Sequence, residues 1–278
     1  MPDGFPRDEL FLIAGPCVLE DDNLNLSVAE ALARLADILP GGVVYKASFD
    51  KANRSNATAP RGPGMHEGLE KLARVRSKTG LRILTDVHLP EQCAPAAEVV
   101  DFLQIPAFLC RQTDLLEAAG ATGKAVNVKK GQWMAPEAMR GAVEKVQNAR
   151  PRAPDPGPGS ADSPVAVTER GSFFGYGDLA VDMRSIARMK IATGCPVIFD
   201  GTHSVQRPGL GEGGSSGGTR EFIPALTLAA VAAGADGIFL ETHPDPDHAP
   251  SDGPNMLPLS SLETLVRRVV AVREASRQ

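Results

Sequence analysis

Eight short apolar runs recur along the chain, and each is followed by polar residues and then by a segment with helical periodicity. The runs cover residues 10–17, 43–48, 82–88, 101–107, 125–131, 165–171, 197–203 and 237–243. Their nearly continuous β-branched and aromatic residues are typical of strands that are buried on both faces, as in a parallel sheet. The pattern therefore predicts eight parallel strands.

Amphipathic segments lie between the runs. In residues 27–39, Val28, Leu32 and Leu35 fall on one face, and Ser27 precedes them at a position that favours an N-cap. The other helices are predicted at 64–77, 90–97, 113–119, 136–149, 182–193, 222–233 and 261–276. This alternation predicts one α/β domain over residues 1–278, a (β/α)₈ TIM barrel with its active site at the C-terminal ends of the strands. A doubly wound open sheet is the competing fold, but no GxGxxG motif follows the first run.

Two stretches interrupt the alternation. Residues 151–164 are rich in proline and glycine and separate a helix from the next strand. On a barrel this is the face opposite the active site, so we expect a mobile insertion without a catalytic role. Residues 207–220 follow a strand and hold many glycines. They suit a mobile lid over the substrate, although a plain disordered loop fits the composition equally well.

Composition narrows the class of protein. With 278 residues, of which 42% are hydrophobic and 23% charged, the chain matches a soluble globular protein that buries one sizeable core. Its net charge of -5 disfavours a general nucleic-acid binder. The four cysteines form no CxxC pair, which favours a reduced compartment. No apolar run reaches membrane-spanning length and residues 1–10 lack the features of a signal peptide, so we expect a cytoplasmic protein.

Polar residues at the predicted strand ends are candidates for an active site. One group is cationic and is concentrated in residues 45–56 (YKASFDKANRSN); its members are Lys46, Lys51, Arg54, Lys130 and Arg170. So many cations suit two anionic ligands, or one ligand that carries both phosphate and carboxylate. A solvated basic loop and structural salt bridges are the alternatives. A salt bridge is favoured for Lys129, because neighbours on a strand point to opposite faces.

A second group has the side chains of a metal site. Cys17, His203 and Glu241, with Asp252 as a further candidate, combine thiolate, imidazole and carboxylate ligands, which suit Zn²⁺, Fe²⁺ or Mn²⁺. They meet only if the first, seventh and eighth strands are neighbours, as closure of a barrel requires. A cysteine at a strand end is more often a packed side chain, and a histidine more often a hydrogen-bonded one. Spacing alone therefore leaves metal binding open.

Several longer motifs are similar to those of the 3-deoxy-D-manno-octulosonate 8-phosphate synthases. They are GPCVLE (15–20), YKASFDKANRSN (45–56), TDVH (85–88), DFLQIPAFLCRQTDLL (101–116), NVKKGQWMAP (127–136), TERGSFFGYGDLAVDMRS (168–185), FDGTHSVQRPG (199–209) and FLETHPDPDHAPSDGPNMLPL (239–259). The resemblance extends from about Leu10 to the last predicted helix, and KANRSN is its most specific part. The related 3-deoxy-D-arabino-heptulosonate 7-phosphate synthases carry a KPR-type motif there instead.

The resemblance implies a transferase, a homotetramer in the family, that condenses phosphoenolpyruvate with D-arabinose 5-phosphate and water on the way to the Kdo sugar of lipopolysaccharide. The C–O bond of phosphoenolpyruvate breaks and inorganic phosphate leaves. Matching positions assign phosphoenolpyruvate to Lys46, Lys51, Lys130, Arg170, Gln104 and Ala107. They assign arabinose 5-phosphate to Asn53, Arg54, Ser55 and Asp86, and to Arg111 of a neighbouring subunit. His203 stands among both the catalytic residues and the metal ligands.

The residue at position 17 divides this family, being cysteine in metal-dependent members and asparagine in metal-independent ones. The GPC motif therefore implies a divalent metal held by Cys17, His203, Glu241 and Asp252, which positions or activates water or orients the aldehyde. The insertion 151–164 and the glycines of 210–218 depart from the family pattern without touching its motifs. Two other functions remain open: the heptulosonate 7-phosphate relative, which uses erythrose 4-phosphate, and a barrel that binds sugar phosphates without turnover.

Overall fold

The centre of the molecule is a closed barrel of parallel strands. The computed structural model describes residues 4–54, 58–151, 162–173, 177–211 and 217–277. In chain order the barrel strands are β1 (Phe11–Gly15), β2 (Val43–Lys46), β3 (Arg82–Asp86), β4 (Phe102–Ile105), β5 (Ala125–Lys129), β6 (Val165–Glu169), β7 (Val197–Asp200) and β8 (Gly237–His243). Each strand pairs with the next, and β8 pairs with β1 to close the ring. The predicted (β/α)₈ TIM barrel is confirmed, and every strand falls inside its predicted run.

A helix follows each strand and packs on the outside of the barrel. The helices are α1 (Asp22–Ala33), α2 (Met65–Thr79), α3 (Pro90–Val99), α4 (Thr113–Ala121), α5 (Met139–Ala149), α6 (Arg184–Thr193), α7 (Ile223–Ala232) and α8 (Leu259–Ala275). Helix α2 ends two residues beyond its predicted limit of 77, directly before Gly80, which takes a left-handed conformation with φ 70° that caps the helix. Among the described residues, no helix combines the length with the apolar surface that a bilayer span requires.

The first helix begins earlier than predicted, so the assignment of Ser27 as its N-cap is wrong. The cap is Asp21, whose carboxylate accepts hydrogen bonds from the backbone N–H groups of Asn23 and Leu24. This interaction satisfies donors that the helix itself leaves free. The first turn of the helix is largely polar, so the hydrophobic pattern from which the start was predicted becomes regular only one turn later. The helix also ends at Ala33, before the predicted limit of 39.

Two apolar layers stabilise the barrel. Inside it, a cluster that includes Phe11, Leu84, Phe102, Ile198 and Phe239 fills the half nearest the N-terminal ends of the strands. The alternate strand residues face outward and pack against the helices in a second, larger cluster. Because both faces of each strand are buried, the strands read as continuous apolar runs in the sequence.

The N-terminal end of the barrel is closed by the start of the chain. Residues Phe5–Pro6 pair in antiparallel fashion with Asp162–Ser163, just before β6. The Phe5 ring lies with its centroid 4.8 Å from that of Phe102 and 6.0 Å from that of Phe11, and only 1% of this residue is exposed. Phe5 therefore seals the floor of the barrel, and within the described part of the chain the barrel opens at the C-terminal ends of its strands.

The predicted insertion at 151–164 and the predicted lid at 207–220 are described only at their ends, because residues 152–161 and 212–216 lie outside the described part of the chain. At the ends of the lid, Gln206–Arg207 pairs in antiparallel fashion with Gly217–Gly218. The lid segment therefore emerges from a two-stranded ribbon beside the open end of the barrel. The roles predicted for both segments stay predictions.

Candidate active site

The C-terminal ends of the strands open into a cavity of about 1010 Å³. Side-chain alternation explains which residues reach it, because the residue two positions further along a strand points the same way. The inward-facing Val44, Leu84, Phe102 and Phe239 are thus followed by Lys46, Asp86, Gln104 and Glu241, which line the cavity. The cavity wall therefore combines cations, carboxylates and an amide on rigid strand ends.

Lys46 and Lys51 surround the carboxylate of Glu241. Lys46 Nζ lies 2.7 Å from Glu241 Oε1, and Lys51 Nζ lies 3.9 Å from the same oxygen. Burial alone would raise the pKa of Glu241, but the positive charges of Lys46 and His203 hold that pKa well below its usual range. Burial likewise opposes the charge of Lys51, yet Cys17 and Glu241 raise its pKa above the ordinary value. Glu241 and Lys51 are therefore both charged at neutral pH.

Arg170 follows β6 and is buried at the cavity wall. Its Nη2 donates a hydrogen bond of 2.6 Å to Gln206 Oε1. Its Nη1 is buried and has no hydrogen-bond partner among the described residues. Buried guanidinium groups are normally satisfied, so Arg170 presents one free donor to a ligand that enters the cavity.

Lys129 is the last residue of β5 and Lys130 follows it, and the two side chains take different positions. Lys129 points into the barrel, where its Nζ lies 2.6 Å from Asp200 Oδ2 and 3.6 Å from the ring centroid of Phe239. The predicted salt bridge of Lys129 is confirmed, but this lysine also lines the cavity. Lys130 Nζ lies 3.3 Å from Ser172 Oγ and 3.5 Å from Glu169 Oε1, behind the cavity-lining residues of the described chain.

The mouth of the cavity carries the predicted sugar-phosphate residues. Asn53 is exposed and Arg54 half-buried, and both line the cavity. Arg54 Nη1 donates to Ser251 Oγ at 2.6 Å, and Ser251 Oγ in turn donates to Asp252 Oδ2 at 2.9 Å. Ser55 lies outside the described residues. The structure thus connects the cationic loop at the mouth with one of the predicted metal ligands.

Deeper along the same wall lie Asp86, Gln104 and Ala107. Asp86 accepts a hydrogen bond from Ser48 Oγ, and its Oδ2 lies 3.1 Å from His88 Nε2. Burial would raise the pKa of Asp86, but the hydrogen bond with His88 and the positive charges of Lys46 and Lys51 together bring that pKa well below its usual range. Asp86 is therefore an ionised hydrogen-bond acceptor, suited to the hydroxyl groups of a sugar.

Arg111 is exposed and stands apart from this cavity. It lines a separate cavity of about 450 Å³ together with Trp133 and Lys145. Trp133 is itself 48% exposed and stacks on Phe108, with ring centroids 5.7 Å apart. The prediction that Arg111 serves a neighbouring subunit stays a prediction.

Three of the four predicted metal ligands meet at one point of the cavity. Cys17, Glu241 and Asp252 each offer a ligand atom, and these atoms lie within 4.8 Å of one another. Cys17 Sγ lies 3.1 Å from Asp252 Oδ2. His203 stands beside them, with Nε2 3.6 Å from Glu241 Oε2. The required neighbourhood of the strands is confirmed, because β8 pairs with both β1 and β7.

Three properties of these residues fit a divalent cation. Glu241 Oε2 is buried without a hydrogen-bond partner among the described residues, which is unusual for a carboxylate oxygen. Asp252 has φ 52° and is the one described non-glycine residue with positive φ; such strain is concentrated at functional sites. Burial raises the pKa of the Cys17 thiol and Glu241 raises it further, so ionisation of this thiol calls for a nearby cation.

Asp200 is a functional residue to which the sequence assigned no role. Its Oδ2 lies 2.8 Å from His203 Nδ1 and also contacts Lys129. This interaction fixes the imidazole ring so that Nε2 faces Glu241, as carboxylates commonly do for metal-binding histidines. The available signal was the spacing in FDGTH, where the aspartate ends a strand and precedes the histidine by three residues.

Comparisons with known proteins identify the family of this chain. The sequence model described as the DAHP synthetase I family matches residues 6–277. A 2-dehydro-3-deoxyphosphooctonate aldolase of Bradyrhizobium sp. (strain BTAi1 / ATCC BAA-1182) is 56% identical over 262 residues, which cover 94% of this chain and 87% of the relative. A protein of the same name from Rhodopseudomonas palustris (strain BisB5) is 57% identical over 261 residues, with coverages of 94% and 87%. The chain therefore belongs to the DAHP synthetase I family and, within it, to the 2-dehydro-3-deoxyphosphooctonate aldolases.

Proposed function

We propose that the cavity at the C-terminal ends of the strands is where this enzyme condenses phosphoenolpyruvate with D-arabinose 5-phosphate and water. The products are 3-deoxy-D-manno-octulosonate 8-phosphate, a precursor of the Kdo sugar of lipopolysaccharide, and inorganic phosphate. The reaction is that of the 2-dehydro-3-deoxyphosphooctonate aldolases, also called 3-deoxy-D-manno-octulosonate 8-phosphate synthases. The observation that carries the placement is the convergence of cations with the cluster of Cys17, Glu241 and Asp252 in one cavity.

Phosphoenolpyruvate is assigned to cations that line the main cavity and to Lys130, which lies behind its wall. Its contacts are proposed to be Lys46, Lys51, Lys130, Arg170, Gln104 and Ala107. C3 of phosphoenolpyruvate forms a bond with the aldehyde carbon of the sugar, the aldehyde oxygen gains a proton, and water adds its oxygen at C2 as it loses a proton. The C2–O bond to phosphate then breaks as the new C2 hydroxyl loses its proton and becomes the keto group, and inorganic phosphate leaves with a proton. Buried, preorganised cations stabilise the charge that develops in such steps, and losing one contact of this kind typically slows a reaction about 10²- to 10³-fold.

Arabinose 5-phosphate is assigned to the mouth of the cavity. Asn53, Arg54 and Ser55 hold the sugar phosphate, Asp86 accepts hydrogen bonds from sugar hydroxyls, and Arg111 of a neighbouring subunit completes the phosphate site. Arginine suits this role because its planar fork can contact two phosphate oxygens at once. With this arrangement the deep and outer groups of cations each bind one anionic substrate.

A divalent metal, Zn²⁺, Fe²⁺ or Mn²⁺, is proposed to be held by Cys17, His203, Glu241 and Asp252. Such an ion supplies Lewis-acid chemistry that positions or activates water or orients the aldehyde. Asp200 holds the His203 ring, and Lys46 balances the charge of Glu241. We further propose that the protein is cytoplasmic and forms a homotetramer. Residues 207–220 are proposed to form a lid, and residues 151–164 an insertion without a catalytic role.

Turnover of two sugars tests this function. We expect rapid release of inorganic phosphate from phosphoenolpyruvate with arabinose 5-phosphate and little or none with erythrose 4-phosphate, because the KANRSN motif (51–56) resembles that of the synthases that use arabinose 5-phosphate. Phosphate release is measured with both sugars under identical conditions. A preference for erythrose 4-phosphate would replace this function with that of the heptulosonate 7-phosphate relatives. Binding of arabinose 5-phosphate without any turnover by metal-loaded protein would make the chain a binding protein.

Loss of the Asp200 carboxylate is expected to weaken metal binding. The Asp200→Asn substitution removes the charge that orients His203, and changes of this type typically lower metal affinity about 10- to 100-fold. Affinity is measured by competition for Mn²⁺ with a chelator of known strength. Asp178→Asn is the matched control, because Asp178 is exposed and pairs with Arg207 instead. Equal affinities in the two variants would show that Asp200 does not position the histidine.

A further inference from the structure

The side chain of Gln206 joins the two halves of the active site. Its Oε1 accepts a hydrogen bond of 2.6 Å from Arg170 Nη2, and its Nε2 donates one of 3.1 Å to Asp252 Oδ1. Gln206 also lines the main cavity. One carboxamide therefore contacts a guanidinium that faces the deep cavity and a carboxylate of the Cys17–Glu241–Asp252 cluster.

Arg170 and Asp252, the two partners of Gln206, each have a second polar atom that Gln206 does not contact. Arg170 Nη1 is buried without a hydrogen-bond partner in the described part of the chain, so it remains available to a ligand. Asp252 directs its second oxygen, Oδ2, toward Cys17 Sγ at 3.1 Å. Each partner of Gln206 thus has one atom fixed by the amide and a second atom facing a proposed ligand.

A carboxamide is the side chain that meets both demands. It has an acceptor and a donor on opposite corners of one plane. A carboxylate at this position would face Asp252 with like charge, and an ammonium would face Arg170 with like charge. An apolar side chain would leave one atom of each partner without its hydrogen bond, which is unfavourable for buried polar groups.

The backbone of Gln206 belongs to a ribbon that packs on the turn next to Asp252. Gln206 pairs with Gly218 in the two-stranded ribbon. A side chain on Gly218 would overlap the amide of Asn255, in the turn that directly follows Asp252. The ribbon therefore packs directly on the Asp252 turn, so a shift of one is transmitted to the other.

From these contacts we propose that Gln206 is a positioning residue that couples phosphoenolpyruvate binding to metal binding. The inference rests on the proposed function, which gives Arg170 to phosphoenolpyruvate and Asp252 to the metal. A metal on Asp252 fixes its carboxylate, the carboxylate fixes the Gln206 amide, and the amide fixes Arg170 in its binding orientation. The ordering of Arg170 is then complete before phosphoenolpyruvate arrives, so the metal tightens phosphoenolpyruvate binding.

Titration calorimetry of phosphoenolpyruvate, without sugar, tests the coupling in chelated and Mn²⁺-loaded protein. In the unchanged protein we expect Mn²⁺ to tighten phosphoenolpyruvate binding by about fivefold or more, the usual size of coupling between two sites. Linkage requires phosphoenolpyruvate to tighten Mn²⁺ binding by the same factor. In Gln206→Met, which keeps the length of the side chain but removes both hydrogen bonds, both ligands still bind and the ratio is expected to fall to about one.

Arg207→Met is the matched control, because Arg207 lies next to Gln206 on the same ribbon strand but pairs with Asp178 at 2.6 Å. It is expected to keep the ratio of the unchanged protein, and a ratio of one in this control would assign the effect to the ribbon and overturn the role of Gln206. A ratio of one in the unchanged protein, or an unaltered ratio in Gln206→Met, would also overturn it. Failure of phosphoenolpyruvate and Mn²⁺ to bind the unchanged protein at all would overturn the proposed function with it.

Discussion

Removal of the metal is expected to abolish turnover, and addition of Mn²⁺, Fe²⁺ or Zn²⁺ to the stripped protein is expected to restore part of it. Without a divalent ion, the carboxylates of Glu241 and Asp252 share a small space with the Cys17 thiol, and Lys46 and Lys51 balance part of their charge. Burial also raises the pKa of this thiol. A divalent ion offsets this charge and ionises the thiol. Phosphate release is measured before and after chelation, with metal content followed by elemental analysis. Full activity in protein shown to be metal-free would contradict the metal assignment.

The Cys17→Asn variant serves as the internal control for this experiment. An asparagine amide can donate hydrogen bonds to the neighbouring carboxylates and so take over part of the role of the cation. The resemblance to metal-independent synthases, which have asparagine at this position, leads to the same expectation. We therefore expect this variant to retain measurable activity that chelation does not reduce. A folded variant without activity would show that the surrounding residues need the metal for more than charge balance.

Replacement of Arg170 by lysine is expected to lower kcat/KM for phosphoenolpyruvate about 10²- to 10³-fold, the usual effect of losing one preorganised charged contact. The guanidinium binds Gln206 through Nη2 and keeps Nη1 free for the substrate. A lysine places a single ammonium there and cannot span both positions. The substitution keeps the charge, so the loss is one of geometry.

Steady-state kinetics with each substrate varied in turn measure this effect. The matched control is Arg184→Lys, since Arg184 is exposed and pairs with Asp182 on the surface. The control is expected to leave kcat and KM for phosphoenolpyruvate unchanged. If Arg170→Lys behaves like the control, Arg170 does not contact phosphoenolpyruvate, and the cationic site is built from the lysines alone.

The sequence could predict the residues at strand ends because a strand repeats every two positions. Once a buried strand is identified, the inward direction of Val44 fixes that of Lys46, and Phe239 fixes that of Glu241. The same parity in β5, where Ala125 faces inward, makes Lys129 the inward-facing lysine, whereas the sequence-based prediction places Lys130 rather than Lys129 in the active-site group. That Lys129 both forms a salt bridge and lines the cavity could not be predicted, because its partner Asp200 lies on another strand.

Contacts between loops could not be predicted in this way. Gln206 and Asp252 are far apart in the sequence, and no periodicity relates two loops. The predicted start of α1 was wrong for a related reason. The N-cap Asp21 acts through hydrogen bonds, which do not appear in the hydrophobic pattern. The metal cluster could be predicted in part. Closure of the barrel predicted that its strands are neighbours, but not the distances between the ligand atoms.

Phe5, which seals the floor of the barrel, also determines by which end small molecules reach the cavity. With that end blocked, the described residues leave the mouth as the route by which small molecules enter and leave the cavity. Lys46 and Arg170 lie deep, with 2% and 4% exposure, whereas Asn53 is exposed at the mouth. With the proposed assignments, a sugar phosphate that arrives first would stand in the path of phosphoenolpyruvate. With these proposed assignments, phosphoenolpyruvate must therefore bind before the sugar.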